Sequence, residues 1–178
     1  EDQFNPLVSF IREAEIPIVC SVNGVAAGAG ANLAFACDIV IASTEARFIQ
    51  SFANVGLIPD AGGTWSLTKL AGRARAMGLA LTGEPITATK ALEWGLIWNI
   101  FPEDKLLAEA IKIVDKLASG PTFGYGKTKL AINAADSNSF KKQLELEAQL
   151  QGECGITKDY AEGVRAFLEK RPPEFEGK

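Results

Sequence analysis

The sequence predicts an α/β fold that is followed by a helical region. Over residues 1–101, short apolar runs rich in β-branched residues alternate with helical segments. This strand–helix–strand order favours a parallel sheet. Beyond residue 101, apolar residues recur at helical spacing as far as the polar tail KRPPEFEGK. We therefore expect an α/β part at residues 1–101 and a helical part at residues 102–178.

Continuous apolar runs define the expected strands. The run PIVCSV at 17–22 contains three β-branched residues and is typical of a buried strand covered on both faces. The predicted strands are 17–22, 38–43, 46–50 and 96–101.

Apolar residues spaced three or four apart define the expected helices. A first stripe runs from Leu7 to Ile11 and ends before Pro17. Further helices are predicted at 28–36, 62–70, 72–81, 88–94, 103–119, 122–134, 139–153 and 158–169. Thr87 is the expected N-cap of the helix at 88–94, and Gly95 marks its end.

Composition excludes several classes of function. The 178 residues are 47% hydrophobic and 22% charged, as in a globular domain. A net charge of −4 gives no basic surface for nucleic acid or an anionic membrane. No apolar run approaches the roughly 20 residues that cross a bilayer. We expect neither nucleic acid nor membrane as a partner.

Histidine and cysteine content narrow the possible chemistry. The chain contains no histidine, which removes Ser-His-Asp and Cys-His catalysis and imidazole-based zinc sites. The cysteines, Cys20, Cys37 and Cys154, match neither a zinc motif nor a disulfide framework. We expect free thiols in a reducing cytoplasm, no metal, and acid–base chemistry from carboxylates, lysine or tyrosine.

A glycine- and alanine-rich turn, GVAAGAG, leads from a strand into the helix at 28–36. Free backbone N–H groups at a helix start can bind negative charge, either a phosphate or an oxyanion. The turn lacks the P-loop Lys-Ser/Thr and the full dinucleotide-binding spacing. Close packing of the helix against the sheet is the alternative explanation of its small residues.

A second unusual segment, NVGLIPDAGGTWSL, places Asp60 between Pro59 and a glycine pair. One interpretation is that Asp60 caps the following helix. The apolar flanks, among them Leu57, Ile58 and Trp65, favour another. A carboxylate held away from water retains a proton more readily, which suits a general base.

Together these segments resemble the crotonase (enoyl-CoA hydratase/isomerase) superfamily. The resemblance runs from IPIVCSVNGVAAGAGANLAFACDIVIAS through VGLIPDAGGTWSLTKLAGRARAMGLALTGEPITATKALEWGLI to AFLEKRPPEF. It implies an α/β crotonase-like (ClpP/crotonase) spiral core, here incomplete, followed by an α-helical trimerisation region. GLIPDAGGTW, AGRARAMGLAL and EWGLIW are most similar to isomerases that act on the ring 1,2-epoxide of phenylacetyl-CoA.

The resemblance implies roles for individual residues. Two backbone N–H groups hold the thioester carbonyl in the family, and Ala29 matches one of these donors. Asp60 matches the aspartate of several family isomerases. Asn32 and Phe52 stand where family hydratases have two glutamates, and neither can act as a base. The residues expected beside the substrate are Gly28, Gly30, Asn32, Phe52 and Pro59.

The resemblance also concerns assembly and the ends of the chain. It implies homotrimers, often paired into hexamers, with Phe167 and Lys170 near the CoA of a neighbouring subunit. Lys170 has the alternative role of a solvated cation at a helix end.

The other oxyanion donor lies upstream of Glu1 in the family. We therefore expect an additional N-terminal segment in the active protein and little activity from the 178 residues alone.

The function implied is isomerisation of an acyl-CoA by a single aspartate, with an enolate-like intermediate held by backbone N–H groups. The expected reactions are conversion of the ring epoxide to the oxepin and migration of an enoyl-CoA double bond. No cofactor is expected apart from the coenzyme A of the substrate. An enoyl-CoA hydratase and a non-catalytic acyl-CoA-binding homologue are the alternatives.

Overall fold

The computed structural model describes residues 4–178, which divide into two compact units. The first contains residues 4–12 and 18–112, and the second contains residues 13–17 and 113–178. The strands are Val19–Val22 (β1), Val25–Ala27 (β2), Ile39–Ser43 (β3), Arg47–Ile49 (β4), Ile86–Thr87 (β5) and Asn99–Phe101 (β6). The helices are Phe4–Glu13 (α1), Ala29–Ala36 (α2), Gly63–Ala71 (α3), Arg73–Thr82 (α4), Ala88–Glu93 (α5), Glu103–Ala118 (α6), Thr122–Ala135 (α7), Phe140–Gly155 (α8) and Lys158–Glu169 (α9).

Within the described residues, the strands form two three-stranded sheets. In the first, β3 is central and pairs in parallel with β1 and β6. In the second, β4 is central, with β2 parallel and β5 antiparallel to it. The parallel sheet predicted from the strand–helix–strand order is confirmed, and α2 lies in the connection from β1 to β3.

The structure corrects two expectations about the strands. β1 is not covered on both faces in the described part of the chain, because Ser21 is exposed and Val19 and Cys20 are only half-buried. It has one paired neighbour, whereas the central β3 fits the prediction, with residues 40–43 all buried. The strand β2 was not predicted. Its three residues merge with the glycine-rich turn and are too few to show a periodic pattern.

Small residues bring α2 close to the rest of the first unit. Ala31, Ala34 and Ala36 of this helix are buried, and Phe35 stacks on Phe48 of β4 with ring centroids 5.2 Å apart. The predicted cap of α5 is confirmed, since the Thr87 hydroxyl accepts the Lys90 N–H at 3.1 Å. This packing fixes the first turn of α2 relative to both sheets.

Helices α7, α8 and α9 and the C-terminal tail make up most of the second unit. Thr157 caps α9 by accepting the Tyr160 N–H at 3.1 Å. The Asp159 carboxylate binds the tail by accepting the N–H groups of Glu176 and Gly177 at 2.7 and 3.0 Å. Among the described helices, none has the length and apolar character that crossing a bilayer requires.

Candidate active site

The turn between β2 and α2 depends on Gly28. This residue has φ +54°, a conformation that side chains disfavour. Its N–H donates to the Ile49 carbonyl at 2.8 Å, which ties the turn to β4. A Cβ here would lie 3.3 Å from Ser51 Oγ and 3.5 Å from the Phe52 ring. Phe52 thus lies beside the turn, and its role as a substrate contact stays a prediction.

The N–H of Ala29 is available at the start of α2. As the first helical residue it has no partner within the helix, and residues 4–178 supply no other backbone acceptor for it. The helix dipole adds partial positive charge at this end. Ala29 is half-buried and the following Gly30 is exposed. This arrangement can polarise a carbonyl oxygen, and the oxyanion role of Ala29 stays a prediction.

Within the described residues, the hydrogen bonds of Asp60 are made by its main chain. The Asp60 carbonyl accepts the Gly63 N–H at 2.8 Å and Asn32 Nδ2 at 2.9 Å. The carboxylate makes no hydrogen bond within the described residues. The capping interpretation is wrong, because the N-cap of α3 is Gly62 and no side chain caps this helix.

The expected apolar enclosure of Asp60 is also wrong for the described residues. Asp60 is exposed, and so are Leu57 and Ile58 beside it. Trp65 instead contacts cations, since the Arg12 guanidinium lies 4.4 Å from its ring centroid. Within the described residues, the carboxylate is therefore exposed rather than sealed in an apolar pocket.

Asn32 is fully buried, and both ends of its amide are hydrogen-bonded. Nδ2 donates to the Asp60 carbonyl at 2.9 Å, and Oδ1 accepts Gln50 Nε2 at 2.8 Å. The role of Asn32 as a substrate contact stays a prediction, and in this conformation neither amide end is free for a ligand. Gln50 was not singled out by the sequence, because a single glutamine after a short strand carries no distinguishing pattern.

The remaining predicted residues occupy different surroundings. Pro59 is half-buried beside Asp60, whereas Phe52 is buried. Phe167 and Lys170 lie in the second unit, both exposed, and Lys170 ends α9 in a left-handed conformation with φ +54°. Contact of Phe167 and Lys170 with CoA stays a prediction.

Comparison with known proteins assigns the fold. The sequence matches the enoyl-CoA hydratase/isomerase family over residues 1–178. It is 51% identical, over 175 residues, to the 1,2-epoxyphenylacetyl-CoA isomerase of Escherichia coli, covering 98% of this chain and 67% of that protein. It is 43% identical to the trans-2-decenoyl-[acyl-carrier-protein] isomerase of Streptococcus mutans, covering 96% of this chain and 65% of that protein.

The solved structures agree with the sequence comparison. An enoyl-CoA hydratase from Polaromonas sp. JS666 superposes with a TM-score of 0.95 at 35% identity, covering 98% of this chain and 68% of that one. The chain thus spans about two thirds of the length of these relatives. It belongs to the enoyl-CoA hydratase/isomerase family, and the predicted crotonase-like α/β fold with C-terminal helices is confirmed.

Proposed function

We propose that this chain supplies an oxyanion donor and the proton-transferring carboxylate of an acyl-CoA isomerase. One observation carries the proposal. The exposed Asp60 carboxylate stands on a loop that hydrogen-bonds to α2, the same helix whose first N–H, on Ala29, is available. An electrophilic N–H and a carboxylate that touch one substrate are the two groups that enolate chemistry needs.

The proposed proton transfers need only the Asp60 carboxylate and the Ala29 N–H. The Asp60 carboxylate takes a proton from a carbon near the thioester, breaking a C–H bond and forming an O–H bond. The electron pair moves onto the thioester oxygen, where the Ala29 N–H stabilises it. The Asp60 carboxyl then returns the proton to a different carbon, and the double bond has moved. No metal or redox group is required, because nothing is oxidised or reduced.

Two relatives support isomerisation as the reaction. The Escherichia coli relative is named for 1,2-epoxyphenylacetyl-CoA and the Streptococcus mutans relative for a trans-2-decenoyl-[acyl-carrier-protein]. We propose the ring epoxide of phenylacetyl-CoA as substrate: the C–C bond shared by the epoxide and the six-membered ring breaks, its electrons form the new ring double bonds, and both C–O bonds stay in the isomeric oxepin. Enoyl-CoA double-bond migration, which needs the proton shift alone, is proposed as a second activity. Assay of the whole protein with both substrates distinguishes the two activities.

Hydration is the competing activity, since the Polaromonas relative is named an enoyl-CoA hydratase. The two positions that match the family's hydratase glutamates hold Asn32 and Phe52, both buried and neither a base. We therefore expect no incorporation of heavy oxygen from labelled water into crotonyl-CoA. A non-catalytic acyl-CoA-binding protein would in addition fail to exchange substrate α- or γ-protons with deuterated solvent.

The substitution Asp60→Asn tests the proposal. The side chain makes no hydrogen bond within the described residues, so this change should leave stability within about 0.5 kcal/mol. Turnover should fall by about 10²- to 10⁴-fold, the usual contribution of a general acid or base. Asp104→Asn, on the exposed surface of α6, is the matched control and should leave turnover unchanged. Turnover of D60N close to that of the unmodified protein would refute the role of Asp60.

A further inference from the structure

The carbonyl group of Asp60 links the loop that carries this residue to helix α2. The Asp60 carbonyl accepts the Gly63 N–H within the loop and Asn32 Nδ2 from α2. Asn32 is 28 residues earlier in the chain, so this second bond is a tertiary one. It joins the exposed Asp60 to the fully buried Asn32 side chain.

The backbone after Asp60 does not hold this shape without support. Ala61 has φ +48° although it carries a side chain, and Gly62 follows with φ +76°. A left-handed alanine is disfavoured and persists only where surrounding contacts determine it. Ala61 is also almost fully buried. The loop therefore depends on contacts such as the bond from Asn32.

The chain leaves room for the Asn32 amide at Gly63. A Cβ added to Gly63 would lie 2.2 Å from Asn32 Nδ2 and 2.6 Å from Oδ1, which is closer than real Cβ atoms approach. Glycine at the first position of α3 thus allows the asparagine to pack directly against the loop.

The Asp60 carbonyl determines which way that amide faces, and Gln50 binds its other end. Because a carbonyl oxygen only accepts hydrogen bonds, the bond to Asp60 requires the Nδ2 end of Asn32 to face the loop. The Oδ1 end then faces Gln50, whose Nε2 donates to it at 2.8 Å. Gln50 directly follows β4 and is almost fully buried, and its Oε1 has no hydrogen-bond partner within the described residues.

We propose that Gln50 and Asn32 form a buried amide relay that positions the Asp60 carboxylate against the Ala29 N–H. Asn32 follows Ala29 by three residues, a rise of about 4.5 Å along α2. The oxyanion donor and the proton carrier are thereby both placed by one helix. Asn32 and Gln50 are positioning residues that act through Asp60, and the inference rests on the proposed function of that carboxylate.

The isosteric substitution Asn32→Asp tests the relay at pH values where the introduced carboxyl is ionised, because a carboxylate has no proton to donate to the Asp60 carbonyl. We expect kcat of the whole protein to fall by about 10- to 100-fold, as for a small displacement of a reacting group. KM should stay within about threefold, since ground-state binding is retained. Hydrogen exchange over residues 54–67 should accelerate in N32D and stay unchanged in D60N.

Gln50→Glu provides a second variant, at a residue that hydrogen-bonds to Asn32 rather than to the Asp60 carbonyl. An introduced carboxylate would attract the Nδ2 end of Asn32, turn the amide over and set Oδ1 against the Asp60 carbonyl. Q50E should therefore reproduce both the kcat loss and the faster loop exchange of N32D. Ser66→Ala, at another buried polar residue of α3, is the control and should change neither.

A double substitution separates the relay from a direct substrate contact. If Asn32 acts through Asp60, adding N32D to D60N should lower kcat no further. Additive losses, a change in KM alone, or unaltered loop exchange in N32D and Q50E would overturn the relay. An active D60N would instead overturn the proposed function, and the exchange measurement would still test whether the relay holds the loop.

Discussion

Gly63 shows how one residue without a side chain determines the geometry of the loop. Gly63→Ala forces a Cβ against the buried Asn32 amide, at 2.2 Å from Nδ2. Neither Asn32 nor the loop backbone can move freely, so the substitution should destabilise the protein by about 1–3 kcal/mol, as overpacking does. The free energy of unfolding measured in urea checks this expectation.

Gly78→Ala is the matched control for that experiment. Gly78 lies on the exposed surface of α4, and an added Cβ meets nothing within 4 Å. Alanine is favoured over glycine inside a helix by about 0.5–1 kcal/mol, so G78A should be as stable as the unmodified protein or more stable. If the free energy of unfolding of G63A equalled that of G78A, the loop or the Asn32 side chain would have to move aside at no cost, and the expectation would be wrong.

Some individual residues of the candidate site could be predicted from the sequence. Asp60 stood out because an acid between proline and two glycines in an apolar segment is unusual. The hydrogen bond from Asn32 could not be predicted, since it joins residues 28 apart and depends on how α2 packs. One signal was present: Asn32 is a polar residue in a helix of otherwise apolar residues.

Among the helices, α9 is stabilised by the tail that follows it. Its Glu162 carboxylate accepts hydrogen bonds from the side chains of Arg171 and Arg165 and from the Glu174 N–H. The Arg171 guanidinium, with the Glu174 N–H and Arg165, holds the pKa of the Glu162 carboxyl far below its usual range. The charged form of Glu162 is thus the form that binds the tail.

Glu162→Gln should therefore loosen the tail. A neutral amide loses the charge-assisted bonds to the arginines, which are about twice as strong as neutral ones. Amide protection over residues 172–178, measured by hydrogen exchange with mass spectrometry, should decrease. Glu169→Gln is the control, since Glu169 is more exposed and, among residues 4–178, binds only the Arg171 side chain. Equal protection in E162Q and E169Q would contradict the role of Glu162.

The lowered pKa of Glu162 also predicts a dependence on pH. A carboxyl with a lower pKa in the folded state stabilises fully above its unfolded pKa, near about 4.3, and this contribution is lost as the pH falls toward the folded value. Tail protection factors, corrected for intrinsic exchange, should fall between about pH 4 and pH 2. E162Q should show a smaller fall, and identical pH profiles would refute the assignment.

Helices and strands were predicted correctly where capping residues and apolar spacing along the chain identify them. α9 was predicted at its observed bounds, because Thr157 caps it and its apolar residues keep helical spacing. β2 was missed because its three residues lie among glycines and alanines, which show no alternation. The exposure of Ser21 in β1 depends on which strands pair, and no local pattern records that.

At the scale of the whole molecule, large apolar side chains of the second unit face solvent. Ile156 is 90% exposed, Phe167 82% and Phe140 80%. Burying one such side chain contributes about 1.5–3 kcal/mol, and several are needed to offset the cost of association. Exposed apolar patches mark interaction surfaces in soluble proteins, and we expect these side chains to contribute to one. The resemblance to the family adds an expected arrangement, a trimer or a pair of trimers.

We therefore expect the protein to have three or six times its subunit mass by light scattering at micromolar concentration. Apolar contacts do not weaken in salt, whereas exposed charge pairs are screened within about 3 Å at 1 M ionic strength. The mass should thus be unchanged in 1 M sodium chloride. A monomer at low salt would contradict self-association. A mass that falls only in high salt would show that charged groups, rather than the exposed phenylalanines and isoleucine, hold the subunits together.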